Sequence, residues 1–140
     1  MLEVLEKEQK HHLQVLGQIQ KSNLYEIEKL GLGYAKVIFR LDNAQTIDDN
    51  KTVFEAELFR VANFTALSAV NETQTFVLNV NIEFLSQVDI DSKEIVFEAK
   101  AVSSSLGKRF VEVRAKVNDI TIFLGNFTVL KMDGRSKIKL

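Results

Sequence analysis

Two carboxylates and a guanidinium stand close together in the stretch Thr52–Val70, TVFEAELFRVANFTALSAV: Glu55, Glu57 and Arg60. A carboxylate in a partly desolvated cleft can act as a general base and draw a proton from water. Glu57 is expected to do this, with Glu55 beside it. The same residues also suit a plain structural role, because acidic side chains in a first turn complement the positive end of a helix dipole. Arg60 follows Glu57 by three residues, a spacing at which helix side chains meet. It is expected to pair with Glu57; the alternative is contact with a carboxylate on a ligand. Asn50, with Asp48 and Asp49 beside it, is either a cap or turn residue or a ligand contact. His11 and His12 are adjacent, so on a helix their side chains diverge by about 100°. That is a poor arrangement for a metal, and no metal site is expected. The chain shows no Gly-rich phosphate loop and no Ser–His or Cys–His set.

The elements that must position these residues can be read from their periods. Thr52–Val70 contains no glycine or proline and has no fully polar face. A helix that is apolar on most sides is a buried one. Leu58, Ala62, Ala66 and Ala69 share one seam, and alanines on a seam let a helix lie close against a neighbouring surface. From Tyr34 the apolar period is two, as in half-buried strands. YAKVIFRL, TFVLNVNIEF, EIVFEAKAVSS, KRFVEVRAKV and ITIFLGNFTVL read as five strands. Ser105-Leu106-Gly107 turns one pair. Asn118-Asp119 is a two-residue connection that tolerates the positive φ of a hairpin turn. One strongly curved antiparallel sheet around the helix would bury the alanine seam, and a second copy of the chain would cover the remaining apolar positions. Ahead of the sheet, Leu2, Leu5, Leu16 and Ile19 mark an amphipathic helix. A short helix is expected over Leu24–Leu30, with Asn23 as its cap, Glu26 completing a capping box and Gly31 ending it. The expected organisation is an N-terminal helical segment over 1–30, one domain over 31–131 and a basic tail over 132–140.

Bulk properties narrow the class. The chain has 140 residues, 46% hydrophobic and 26% charged, with a formal net charge of −1. That length suits one domain with a real core. The near-neutral charge argues against a nucleic-acid binder, which carries a basic field. No window is long and apolar enough for a transmembrane helix, so no membrane partner is expected. There is no cysteine, hence no disulfide framework and no thiolate zinc site. The start, MLEVLEKEQKHH, lacks the basic-then-apolar order of a secretory leader. The expected location is the cytoplasm.

The segments ELFRVANFTALSAV, VLNVNIEFLSQV and IVFEAKAVSSSLGKRFVEVRAKV resemble the hotdog thioesterase superfamily. The nearest types are the phenylacetyl-CoA thioesterases and the acyl-CoA effector domain of malonyl-CoA-responsive regulators of lipid synthesis. The resemblance covers roughly Leu30–Lys131. It implies an α+β hotdog fold, a curved antiparallel five-stranded sheet wrapped around a long central helix, assembled as a homodimer or homotetramer. It also implies that an acyl thioester of CoA or acyl carrier protein is the substrate or ligand, with no further cofactor. In the thioesterases a thioester carbonyl sits at the helix start, where unpaired backbone N–H groups can stabilise an oxyanion. Ala56 falls at that point, because Phe54-Glu55-Ala56 occupies the position of a His-Gly-Gly motif. Asn63 stands where the phenylacetyl-CoA type has a carboxylate. An amide cannot be a base, but it can hydrogen-bond a carbonyl or orient a water; the alternative is a structural bond across a dimer. Glu57 and Asn63 are therefore the expected catalytic pair. Asn50, Ala56, Arg60, Lys108 and Arg109 are the expected contacts to the ligand, the last two to CoA phosphates unless they are simply solvated. The implied activity is acyl-CoA hydrolysis. The alternative is a non-catalytic acyl-CoA-binding or sensor module, since the resembled regulator domains look Asn-like at the Asn63 position. A dehydratase-like hotdog is a third possibility, disfavoured because no histidine follows His12.

Overall fold

The computed structural model describes residues 25–41 and 52–132. The expected helix around Leu2–Ile19, the two histidines, Asn50 and all of the basic tail beyond Met132 lie outside them. The described elements are β1 (Tyr25–Gly31), β2 (Tyr34–Arg40), α1 (Glu55–Val70), β3 (Thr75–Phe84), β4 (Glu94–Ser105), β5 (Lys108–Val117) and β6 (Ile120–Lys131), with a 3-10 turn at Ile90–Ser92. The strands form one antiparallel sheet in the order β1-β2-β4-β5-β6-β3. All five expected strands are present, and the sheet curves around the helix as the alternation required.

The sixth strand corrects the expected helix over Leu24–Leu30. Its described residues, from Tyr25 on, belong to β1, paired antiparallel with β2 from Tyr25↔Phe39 to Gly31↔Tyr34. A lone helix of about seven residues is marginal in water. As a strand, the same residues satisfy a sheet edge and place the Tyr25 ring against Phe39 and Phe64, with centroids 6.0 and 5.2 Å apart. Gly33, at φ 67°, takes the left-handed conformation that closes the hairpin.

The two expected turns form by the conformations their residues allow. Leu106 and Gly107 have φ of 53° and 80°, and Asn118 and Asp119 have φ of 50° and 67°. Positive φ at both central residues marks the tight hairpin connection between β5 and β6.

Helix α1 packs chiefly on β2, β4 and β5. Its alanine seam is the contact: Ala62, Ala66 and Ala69 are fully buried beside Leu58. Opposite them lie the inward residues of alternate strand positions, Ala35, Val37 and Phe39 on β2, Ile95, Phe97 and Ala99 on β4, and Val111, Val113 and Ala115 on β5. Thr65 and Ser68 are buried too, and their hydroxyls donate to the carbonyls of Val61 and Phe64, each at 2.7 Å. No polar side chain on this face is left without a partner. The helix ends at Asn71, whose left-handed backbone (φ 50°) lets its N–H reach the Leu67 carbonyl.

Candidate functional site

The helix starts three residues later than its sequence pattern suggested, at Glu55, with Phe54 as the flanking residue. The preceding backbone is drawn away: Thr52 bridges Asp89, and the Val53 N–H donates to the Val88 carbonyl at 2.7 Å. Among the described residues no side chain caps the helix. The Glu57 N–H turns back to the Phe54 carbonyl at 2.9 Å. The Glu55 and Ala56 N–H groups, which precede it, have no carbonyl within the helix to meet.

A cleft of about 250 Å³ opens beside this start. One wall is Val53, Glu55 and Leu58; the other is the segment from Phe84 to Val88. Phe84 and Leu85 are 44% and 49% exposed there, next to Ser86 and Gln87. Phe84 stands edge-on to Phe123 behind it. The site therefore combines apolar side chains (Val53, Leu58, Phe84, Leu85 and Val88), one carboxylate and the N-terminal backbone donors of a helix. Such a combination can hold an uncharged acyl group and polarise a carbonyl. A larger groove, about 810 Å³, runs over the outer face of the sheet. Its walls are charged residues such as Lys36, Arg40, Glu94, Glu98 and Lys116. Much of that charge is committed across strands: Arg40 pairs with Glu26 and Glu94, and the Tyr34 hydroxyl donates to Glu98 at 2.6 Å. Burial, reinforced by the Glu98 bond, raises Tyr34 far above the usual phenol range, so it stays a donor at any physiological pH. That face is walled mainly by charged and polar side chains.

The expected site residues divide between three places. Glu57 and Arg60 are together, joined by the expected hydrogen-bonded ion pair. The Glu57 side chain is only 4% exposed and that of Arg60 56%. The pair lies on the flank facing β1, beside Tyr25. Burial raises Tyr25 above the ordinary phenol value. Glu57 does not line the cleft; Glu55 does. Ala56, Arg60 and Asn63 run along the outward ridge of the helix with Phe59 and Val70. Phe59 stacks on Phe127 at 6.3 Å. Lys108 and Arg109 open β5 near the far end of the helix. Arg109 donates to Glu72 at 3.0 Å, just past the helix C-terminus, and Lys131 lies 3.9 Å from the same carboxylate. A helix of 16 residues is about 24 Å long. Within one chain, then, the two cations are not brought to the cleft.

The second wall of the cleft escaped the reading of the sequence. Its signal was modest: the alternating run of β3 ends in two consecutive apolar residues, Phe84-Leu85, followed by Val88. Among the described residues no cluster of His, Cys, Asp or Glu has the arrangement of a metal site.

No family model matches the chain. A curated relative, methylthioribose-1-phosphate isomerase of Aquifex aeolicus (strain VF5), is 27% identical over 106 residues, covering 75% of this chain and 23% of that protein. The chain thus spans about a quarter of the length of the relative it matches. Solved structures align far more completely. An uncharacterized protein, PH1136 from Pyrococcus horikoshii, superposes with a TM-score of 0.82 at 20% identity, over 88% of this chain and 94% of its own. The E. coli PaaI protein from the phenylacetic acid degradation operon gives 0.72 at 16% identity, over 84% and 86%. A hypothetical thioesterase with coenzyme A from Streptococcus pneumoniae TIGR4 gives 0.69 at 15% identity, over 77% and 85%. The chain has the hotdog fold, the architecture of the thioesterase superfamily that its sequence resembles.

Proposed function

We propose that this chain binds acyl thioesters of CoA or acyl carrier protein and hydrolyses them at the start of α1. The observation that carries the reading is the helix start, uncapped by any described side chain, beside a cleft that Leu58, Phe84, Leu85 and Val88 help to line. A thioester carbonyl placed there meets the Ala56 N–H, and its acyl group lies along Leu58, Phe84 and Leu85. The likeness to a thioesterase solved with coenzyme A supports the choice of carrier.

The working unit is a homodimer. Strand β3 is a sheet edge ten residues long, with no lysine or proline to blunt it. Phe76, Leu78 and Phe84 are exposed along it. Such an edge is a template for pairing with another chain. Ala56 and Asn63 share the outward ridge of α1 about 10 Å apart, so an antiparallel second helix would set Asn63 of one copy near Ala56 of the other. There the amide can orient the carbonyl or the attacking water. Arg60 lies between them on the same ridge, and the buried Glu57 offsets its charge where two helices approach. In this assembly Lys108 and Arg109 serve the CoA phosphates, with Arg109 exchanging Glu72 for phosphate. A dimer of dimers is compatible with the same unit. The ligand is an acyl thioester, not nucleic acid or a membrane, and the setting is the cytoplasm. No helix among the described residues is long and apolar enough to cross a membrane.

Asn63, standing where the resembled enzymes have a carboxylate, favours one second reading: an acyl-CoA-binding module that does not turn over. A panel of CoA thioesters, assayed in parallel for thiol release and for a rise in melting temperature, separates the two. A ligand that binds only the folded chain raises its melting temperature by mass action.

A further inference from the structure

We propose that Glu55, and not Glu57, is the carboxylate that activates water at this site; the inference rests on the thioester reading above. Four observations carry it. Glu55 is a wall of the 250 Å³ cleft, and Glu57 is not. Two residues along a helix is a rotation of about 200°, which sends the Glu57 side chain to the β1 flank, where it is 4% exposed and bound to Arg60. Glu55 is half-buried and makes no hydrogen bond or ion pair with another described residue, so its oxygens are open to the cleft. Across the cleft, Phe84, Leu85 and Val88 offer apolar contacts to an acyl group beside this carboxylate.

Chemically, the step needs only water as co-reactant. A Glu55 oxygen accepts a proton as the water oxygen bonds to the thioester carbonyl carbon. The carbonyl electrons shift onto oxygen, which is met by backbone N–H groups at the helix start. Collapse of this adduct breaks the C–S bond, and the leaving thiolate takes the proton held by Glu55. The products are a carboxylic acid and a free thiol. The base and the oxyanion donors then come from one short stretch, Glu55-Ala56. That placement explains how a site with an amide at Asn63 can still hydrolyse.

The test uses the full chain and a series of straight-chain acyl-CoA thioesters from acetyl to decanoyl. It records thiol release across pH for the wild type, Glu55→Gln, Glu55→Asp and Glu57→Gln, and the melting shift given by free CoA for each. The expected result is a fall in kcat of about 10²-fold or more for Glu55→Gln. KM and the CoA-induced shift stay within about two-fold, and Glu55→Asp recovers part of the rate. Turnover by Glu55→Gln within about three-fold of the wild type, with the CoA shift intact, overturns the assignment and leaves the thioester reading standing. So does a loss confined to Glu57→Gln in protein that still melts cooperatively. Wild-type binding of CoA without thiol release overturns the assignment in favour of the binding module. No shift and no release with any thioester overturns both.

Discussion

The Glu57–Arg60 pair holds a carboxylate whose side chain is only 4% exposed against a guanidinium one helical turn on. The three-residue interval is enough to expect the pair, because neighbouring turns bring such residues together whatever surrounds them. Which flank of the helix faces a cleft depends on where Phe84–Val88 folds back, more than two dozen residues away, and no local signal in the helix carries that. The pair itself is a stability element. A buried carboxylate bonded to a guanidinium is worth more than a neutral hydrogen bond, and Gln keeps the shape without the charge. Glu57→Gln is therefore expected to destabilise the fold by about 1–3 kcal/mol, measured by urea unfolding as a lower midpoint with an unchanged slope. An unchanged midpoint would mean that the bond contributes nothing net.

At the scale of elements, the strands and turns were legible because their signals are local. Alternation with period two reports one buried face, and Asn118-Asp119 and Leu106-Gly107 take the positive φ that a tight connection needs. β1 was not legible. Asn23 and Glu26 imitate a helix start, and only pairing with β2, a tertiary effect, overrides that preference. The helix start was also displaced by tertiary pairing, as the bonds of Thr52 and Val53 to the 88–89 segment hold these residues extended. Gly125, in the middle of β6, had no evident purpose in sequence. A Cβ there would stand 2.8 Å from the Phe127 ring and 3.1 Å from that of Phe123. Both rings are fully buried and cannot swing away. They fold over the glycine. Gly125→Ala is expected to cost about 1–3 kcal/mol through overpacking, read as a fall in melting temperature of several degrees. A neutral or stabilising effect would show that the rings have room.

For the whole molecule, the fold was the most legible level, since a helix apolar on most sides must be wrapped and five alternating strands are what is there to wrap it. Assembly follows from the surfaces the fold leaves over: a long unprotected edge on β3 and a ridge on α1 where Phe59 is 38% exposed. Light scattering at micromolar concentration should give at least twice the 15.9 kDa of one chain. Val80→Pro, which removes an N–H from β3 and kinks the strand, should shift the mass toward the monomer. A wild-type monomer at that concentration would remove the second copy from the site and with it the proposed role of Asn63.

Thioester cleavage at the start of the helix, as proposed for this hotdog domain, is tested by thiol release from the acetyl-to-decanoyl-CoA series with the purified wild-type chain. Saturable release with at least one chain length, accompanied by a rise in melting temperature with free CoA, is the predicted result. Binding that raises the melting temperature with every thiol still esterified after prolonged incubation would contradict it.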